Sequence, residues 1–321
     1  MAGIEPKKIA MAGLALLALV LFPLGVSPYI KAFMVTLLMY VVMVQSWNLF
    51  SGCTGYVSLG HGLFFGVGAY GFAIAVTTFK APFWAALLAA GVIAGVVAVV
   101  LGSVLLSTKM NVAYFSVLTL GLNEILKAVV ANTKELGSSY GITLPPLTNQ
   151  LIAYYYLLGL ALIITILIWQ LKRSRHGLAL KAVFADEVAA ETAGINTLTY
   201  KFQTFVVSGI FPGLAGGMIG WYWSYIDPYM AFDLIISFFI MEMVFLGGIG
   251  TLFGPVIGAV FMSLAIEILS TNLQNIHPIL FGLAVIIVII SCPGGIMELF
   301  DKYRARASRK ALALPKQEGV S

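Results

Sequence analysis

The sequence predicts an all-α fold, a polytopic transmembrane helical bundle of about ten spans (8 to 10). Three observations carry this. Of 321 residues, 60% are hydrophobic and only 10% are charged, where a soluble domain carries roughly 25% charged residues. The mean hydropathy is +1.00. Uncharged stretches long enough to cross the hydrocarbon core, which takes about 20 residues as a helix, recur from the N-terminus almost to residue 297. Lipid offers the backbone no hydrogen-bond partner, so helices are the form such stretches take.

The expected spans are Ile9 to Ser27, Ile30 to Phe50, His61 to Phe79, Phe83 to Ser107, Val112 to Ala131, Ala153 to Leu171, Phe202 to Tyr225, Phe232 to Leu246, Leu252 to Ser270 and Pro278 to Met297. The first follows MAGIEPKK and shows no small-residue cleavage site before Pro28, so it reads as a retained span. The segment before Gly60 is a re-entrant candidate, and the eighth span is short, with a break expected at Gly247 and Gly248. Residues 1–300 read as one transmembrane domain with a polar loop at 172–201, and residues 301–321 as a basic tail.

Charge sets the expected orientation. With the N-terminus inside, Lys7, Lys8, Lys109, Lys172, Arg173, Arg175, Lys181, Lys201 and the six basic residues after Asp301 fall on one side, against Lys31, Lys80, Lys127 and Lys134 on the other. Basic residues of short loops stay in the cytoplasm, so both termini and the 172–201 loop are expected there. The net charge of +5 is then topological and gives no sign of nucleic-acid binding. The run KYRARASRK after the last span suits anionic membrane lipids.

The 172–201 loop is the only long polar interruption between the expected spans. Within it, Asp186 is placed to cap a short helix and Glu187 to favour its positive end. Ala189, Ala190 and Glu191 continue that helix and Gly194 stops it, giving a two-turn, small-faced helix with little reason to exist unless something packs on it. The Gly-rich run from Gly52 to Gly71 holds Asn48, Ser58 and His61 close by, and the small faces at Gly62 and Gly66 suit either tight helix packing or a backbone-lined path. TLFGPVIGA, Thr251 to Ala259, echoes SLGHGLFFGVGA, Ser58 to Ala69, and paired interruptions in two halves point towards a translocation site.

Three carboxylates lie inside expected spans: Glu124, Glu242 and Glu267. A charge at mid-membrane costs about 2.5–3.5 kcal/mol on the insertion scale, so each should face protein or water. Lys127 offers Glu124 a local ion pair; Glu242 has no basic neighbour within a turn and is expected to face the path. Cys53 and Cys292 are too far apart in sequence to suggest a disulfide or a metal site, and nothing beside His61 suggests metal ligation. No Gly-Lys dipeptide exists, so the chain carries no phosphate loop and is not its own ATPase; no nucleophile and base pairing stands out, and neither an enzyme nor a cofactor is expected.

The chain resembles the membrane permeases of branched-chain amino acid ABC importers. The likeness rests on NLFSGCTGYVSLGHGLFFGVGAYGFA (Asn48 to Ala73), YFSVLTLGLNEILKAVV (Tyr114 to Val130), GSSYGI (Gly137 to Ile142), RSRHGLALKAVFADEVAAETAGIN (Arg173 to Asn196) and MVFLGGIGTLFGPVIGA (Met243 to Ala259), in the family's order and spacing. It implies a permease of the ABC importer type in the bacterial inner membrane, in which Asp186 to Gly194 is the coupling helix that sits on an ATPase subunit. It also implies the partners: a homologous second permease, two cytoplasmic ATP-binding subunits, and a periplasmic or lipid-tethered substrate-binding protein. Val188 stands where such permeases tend to carry a Glu, and Glu187 comes one residue early. The expected path residues are Asn48, Ser58, Gly60, His61, Glu124, Glu242, Gly248 and Gly250. Competing readings are an ion-coupled secondary carrier using Glu124, Glu242 or Glu267, and a passive urea or amide channel; dependence of uptake on ATP, on a proton gradient or on neither separates the three.

Overall fold

The computed structural model describes residues 13–14, 17–108, 110–147, 149–272 and 295–297. Its helices are α1 (Pro28–Thr54), α2 (His61–Thr77), α3 (Phe83–Ser107), α4 (Val112–Asn132), α5 (Gln150–Arg173), α6 (Arg175–Ala185), α7 (Glu187–Thr192), α8 (Thr197–Trp223), α9 (Pro228–Ala231), α10 (Leu234–Gly247) and α11 (Gly254–Asn272). Six segments among the described residues are long and apolar enough to cross a membrane: α1, α3, α4, α5, α8 and Pro228–Gly247, which joins α9 to α10. His61–Thr77 and Gly254–Leu269 are apolar but shorter. The described residues therefore support six spans of full length where ten were expected. The expected span Pro278 to Met297 lies outside the described residues except at 295–297, as does the basic tail, and Ile9 to Ser27 is described only in part.

The all-α expectation needs one small amendment. Strands β1 (Ile142–Thr143) and β2 (Tyr225–Ile226) pair antiparallel, with Ile142 opposite Ile226, and tie the α4–α5 connection to the end of α8.

Sequence-local caps set most helix starts. Ser27, Asn111, Asn149, Ser174, Asp186, Asn196 and Asp233 each accept a hydrogen bond from a backbone N–H of the first turn they precede. The lateral packing rests on small residues. On α3, Ala86, Ala90, Ala94 and Ala98 are buried at four-residue spacing, while Val92, Val96 and Val100 on the other side are exposed. This polarity is inverted relative to a soluble helix: in a bilayer the bulky apolar face meets lipid and the small face meets protein. The small stripe meets α8, where a Cβ on Gly213 would collide with Ala94 and one on Gly209 would lie 2.8 Å from the Ala98 Cβ. On its other side α8 crosses α2, with Gly213 against the Gly68 backbone and Gly216 against that of Phe65.

Pro212 sits inside α8, where it cannot donate to the carbonyl of Ser208. The Ser46 hydroxyl of α1 donates to that carbonyl instead. The lost backbone bond is thus replaced across helices, as a dry environment requires.

At Gly213 a side chain has nowhere to go. Gly213→Val is expected to cost at least ~1–3 kcal/mol through overpacking and to lower the melting point in detergent. Gly121→Ala, whose added Cβ meets nothing within 4 Å, should melt with the parent. Equal melting of all three proteins would contradict this packing.

Candidate functional site

One end of the bundle gathers the C-terminal turns of α1 and α5, the N-terminal turns of α4 and α8, the short helices α6 and α7, and two breaks in the helical backbone. The first break follows α1. Gly55 caps it at φ +79°, a left-handed conformation that costs glycine nothing, and the chain stays non-helical until α2 opens at His61.

Side chains satisfy this break from both sides. The Trp47 indole N–H donates to the Ser58 carbonyl at 2.7 Å, and the Ser58 amide donates to the Ser51 hydroxyl at 3.2 Å. From α4, Ser116 donates to the Val57 carbonyl at 2.6 Å, and the Leu59 amide donates to the Thr119 hydroxyl at 3.1 Å. Gly60 lets the chain lie on the backbone of Thr119, 2.5 Å from where its Cβ would be. His61 is fully buried, with Nδ1 2.9 Å from the Ser58 hydroxyl and its ring between Phe50 and Phe64. Its Nε2 has no hydrogen-bond partner among the described residues.

The second break falls between α10 and α11, where Gly248 and Gly250 adopt φ of +121° and +69°. Asn48, wholly buried on α1, clamps it from two directions. Its Oδ1 accepts from the Gly250 amide and its Nδ2 donates to the Thr251 carbonyl, both at 2.8 Å. Gln45, one turn earlier, donates to the Leu252 carbonyl at 3.0 Å, and the Lys172 ammonium reaches the Gly250 carbonyl from α5. A cavity of about 350 Å³ opens beside this break, lined by Cys53, Lys172, Lys181, Phe184 and Gly250 among others. The two sequence runs that echo one another thus occupy equivalent places, each opening a helix after a break, and neighbouring residues of α1, Trp47 and Asn48, hold the two breaks.

The expected short helix forms as α7. Asp186 caps it, accepting from the Ala189 amide at 3.0 Å, and Gly194 follows it at φ +84°. The small residues expected to form one face are split, with Ala190 buried and Ala189 exposed. Glu187, Ala190 and Glu191 share one side: Ala190 is buried, and the Thr197 hydroxyl donates to Glu187 at 3.2 Å and to Glu191 at 2.9 Å. Val188, Ala189, Thr192 and Ala193 point outward, and Val188 is 72% exposed. Ala190 therefore supports α7 from beneath.

Glu187 is also turned inward. It forms an ion pair with Lys201 and accepts from the Tyr56 hydroxyl at 2.8 Å. Burial works against its ionisation, yet hydrogen bonds from Lys201 and Tyr56, and the Lys201 charge, hold its carboxyl below the ordinary glutamate range. Burial, then the Glu187 carboxylate, pushes the Tyr56 hydroxyl the other way.

The intramembrane carboxylates are not gathered at this end in one cluster. Glu124 pairs with Lys127 at 2.6 Å on the same helix, as their spacing suggests. Glu267 accepts from Tyr29 at the opposite end of α1. Glu242 lies in α10 with Oε2 buried and unpartnered among the described residues. Sequence reasoning missed Gln45, Trp47, Tyr56, Lys172 and Lys201. It also missed α6, whose Ser174 cap and apolar Ala179, Leu180 and Val183 were the available signal.

The model of the family described as the permease component of branched-chain amino acid transport systems matches residues 29–290. The high-affinity branched-chain amino acid transport system permease protein LivM of Salmonella typhimurium is 25% identical over 295 residues, covering 82% of this chain and 68% of the relative. LivM of Escherichia coli is 25% identical over 326 residues, covering 91% and 75%. The permease protein LivH of Escherichia coli is 30% identical over 128 residues, covering 40% and 41%. No solved structure matches the chain.

Removing the Asn48 amide leaves a part-buried donor and a part-buried acceptor of the second break without their partner, at up to ~1–3 kcal/mol each. Asn48→Ala is therefore expected to lower the melting point in detergent clearly more than Asn149→Ala, which removes an exposed helix cap. The reverse order would show that the clamp contributes little.

Proposed function

Because the chain belongs to the family of permease components of branched-chain amino acid transport systems, we propose that it forms one half of the membrane pore of an ATP-driven importer. Its cargo is branched-chain amino acids or related small polar nutrients. In this reading the chain contributes a path and a lever, and hydrolyses no ATP itself. The path runs by the two breaks, at Asn48, Ser58, Gly60, His61, Gly248 and Gly250, where non-helical backbone can face water or solute only if protein lines it. The lever is α7.

The observation that carries the lever is the exposed small face of α7, Val188, Ala189, Thr192 and Ala193, on a helix whose other face is fixed to the bundle through Ala190, Glu187 and Glu191. A six-residue helix gains little stability of its own, and a small face admits a close-packed partner. The partners proposed are two cytoplasmic ATP-binding subunits beneath α7, a homologous second permease, and a periplasmic or lipid-tethered substrate-binding protein. The pairing of permeases draws on the relatives, two differently named permease proteins that both resemble this chain. Orientation follows from charge: both termini and residues 172–201 in the cytoplasm, in a bacterial inner membrane.

The assembled transporter, reconstituted with its binding protein in liposomes, should take up labelled leucine only with ATP, and dissipating a proton gradient should not slow it. Ala189→Arg places a long charge on the docking face and is expected to abolish uptake and ATPase copurification while leaving the subunit in the membrane. Uptake driven by a proton gradient without ATP would favour the secondary carrier, with Glu242 as its first candidate. Normal ATP-driven uptake by Ala189→Arg would remove α7 from the coupling role. Competition by valine, urea and short amides ranks the cargo.

A further inference from the structure

If α7 docks an ATPase, something must carry its movement to the path, and the short helix touches the rest of the chain through few groups. Glu187, its first residue, is the junction. One carboxylate oxygen takes the Lys201 ammonium and the Thr197 hydroxyl, both from α8. The other accepts from Tyr56, at 2.8 Å. Tyr56 belongs to neither helix: it is the residue after the Gly55 turn, inside the first break and two residues before Ser58.

Two of the three members of this junction, Lys201 and Tyr56, are buried, and Glu187 is half-buried. Lys201 is 2% exposed and lies 4.5 Å above the Tyr56 ring, and the ring meets Phe115 edge-on at 5.4 Å. Phe115 packs on Phe50, whose ring stacks with His61 at 6.5 Å. A buried ammonium needs its counter-charge, so Lys201 holds Glu187 in place, and Glu187 in turn holds the Tyr56 hydroxyl. Rigid neighbours and one charge-assisted hydrogen bond are what a push rod needs.

We propose that Tyr56, Glu187 and Lys201 form the mechanical link between α7 and the first helix break, with Tyr56 and Lys201 as positioning residues that turn movement of α7 into movement of the backbone at Gly55 to Gly60. This rests on the reading of α7 as the ATPase-docking helix. Gly55 is the hinge, because its left-handed backbone can swing while Trp47 and Ser51 hold the far side of the break to α1. The outward residues Val188 and Ala189 feel the partner; the inward Glu187 passes the movement on.

The test measures ATP hydrolysis and leucine uptake together, in the complete transporter reconstituted with its binding protein. Tyr56→Phe keeps the ring, its packing and the cation above it, and deletes the one hydrogen bond between the break and α7, together with the longer contacts of the same hydroxyl to the Met110 carbonyl at 3.3 Å and the Lys201 ammonium at 3.4 Å. The variant should retain ATPase copurification while uptake per ATP hydrolysed falls about tenfold. Glu187→Leu with Lys201→Met removes the buried ammonium and its half-buried counter-charge at once, so no unpaired charge is left to unfold the chain, and should show the same fall. An unchanged ratio of uptake to hydrolysis in either variant overturns the link. The docking reading fails separately: Ala189→Arg with full uptake would sink it, whereas an inactive Ala189→Arg beside fully coupled Tyr56→Phe sinks the link alone.

Discussion

The hydrocarbon core supplies no hydrogen bonds, and that one constraint explains why α1 is the helix on which this structure depends. Two interruptions of the helical backbone lie at the same end of the bundle, and an interruption there is tolerable only where protein groups replace the missing ladder. α1 provides most of the replacements. Trp47 and Ser51 serve the break after Gly55; Gln45 and Asn48 serve the break around Gly250; Ser46 takes the carbonyl that Pro212 leaves free in α8. Over two turns α1 presents a run of buried side chains that does for three segments what water would do outside a membrane.

Around that polar centre the helices are held by shape. The small stripes of α2, α3 and α8 bring backbones so close that added methyl groups would overlap, while the bulky residues of α3 face outward. Close packing of this kind shifts as a unit, so a displacement applied at one end has few places to be absorbed. The glycine turns at the breaks are the exceptions. They are where the chain can bend without disturbing the stripes.

The sequence already carried the membrane bundle, the capped helix between Asp186 and Gly194, the glycine-marked interruptions and the Glu124–Lys127 pair, because each is a local pattern of a few residues. The orientation of α7 was legible in part: positions 187, 190 and 191 fall on one helical face, but nothing local says which face turns inward. Lys201 and Lys172 were counted as loop charges, and both instead reach across the fold, one to Glu187 and one to the Gly250 carbonyl. Their partners lie 14 and 78 residues away in the chain. Asn48 could be flagged as a polar residue beside a Gly-rich run, yet its true partner is the other break, 202 residues on. Such pairings are fixed by tertiary packing and leave no periodic trace. Among the described residues, α2 and α11 are apolar segments too short to count as full spans because of the breaks that precede them, breaks the glycine pattern already marked. The last expected span lies largely outside the described residues, and the first is described only in part.

The proposed path by the two breaks and the proposed link from α7 together require that both breaks respond when ATP engages the transporter. Hydrogen exchange resolved by mass spectrometry, on the complete transporter with and without bound ATP, tests it most directly. The account expects peptides covering Gly55 to Gly60 and Gly248 to Phe253 to change protection together by at least about tenfold on ATP binding, while peptides from the core of α3 stay unchanged. Unaltered exchange at both breaks in a transporter that hydrolyses ATP and takes up leucine would contradict it.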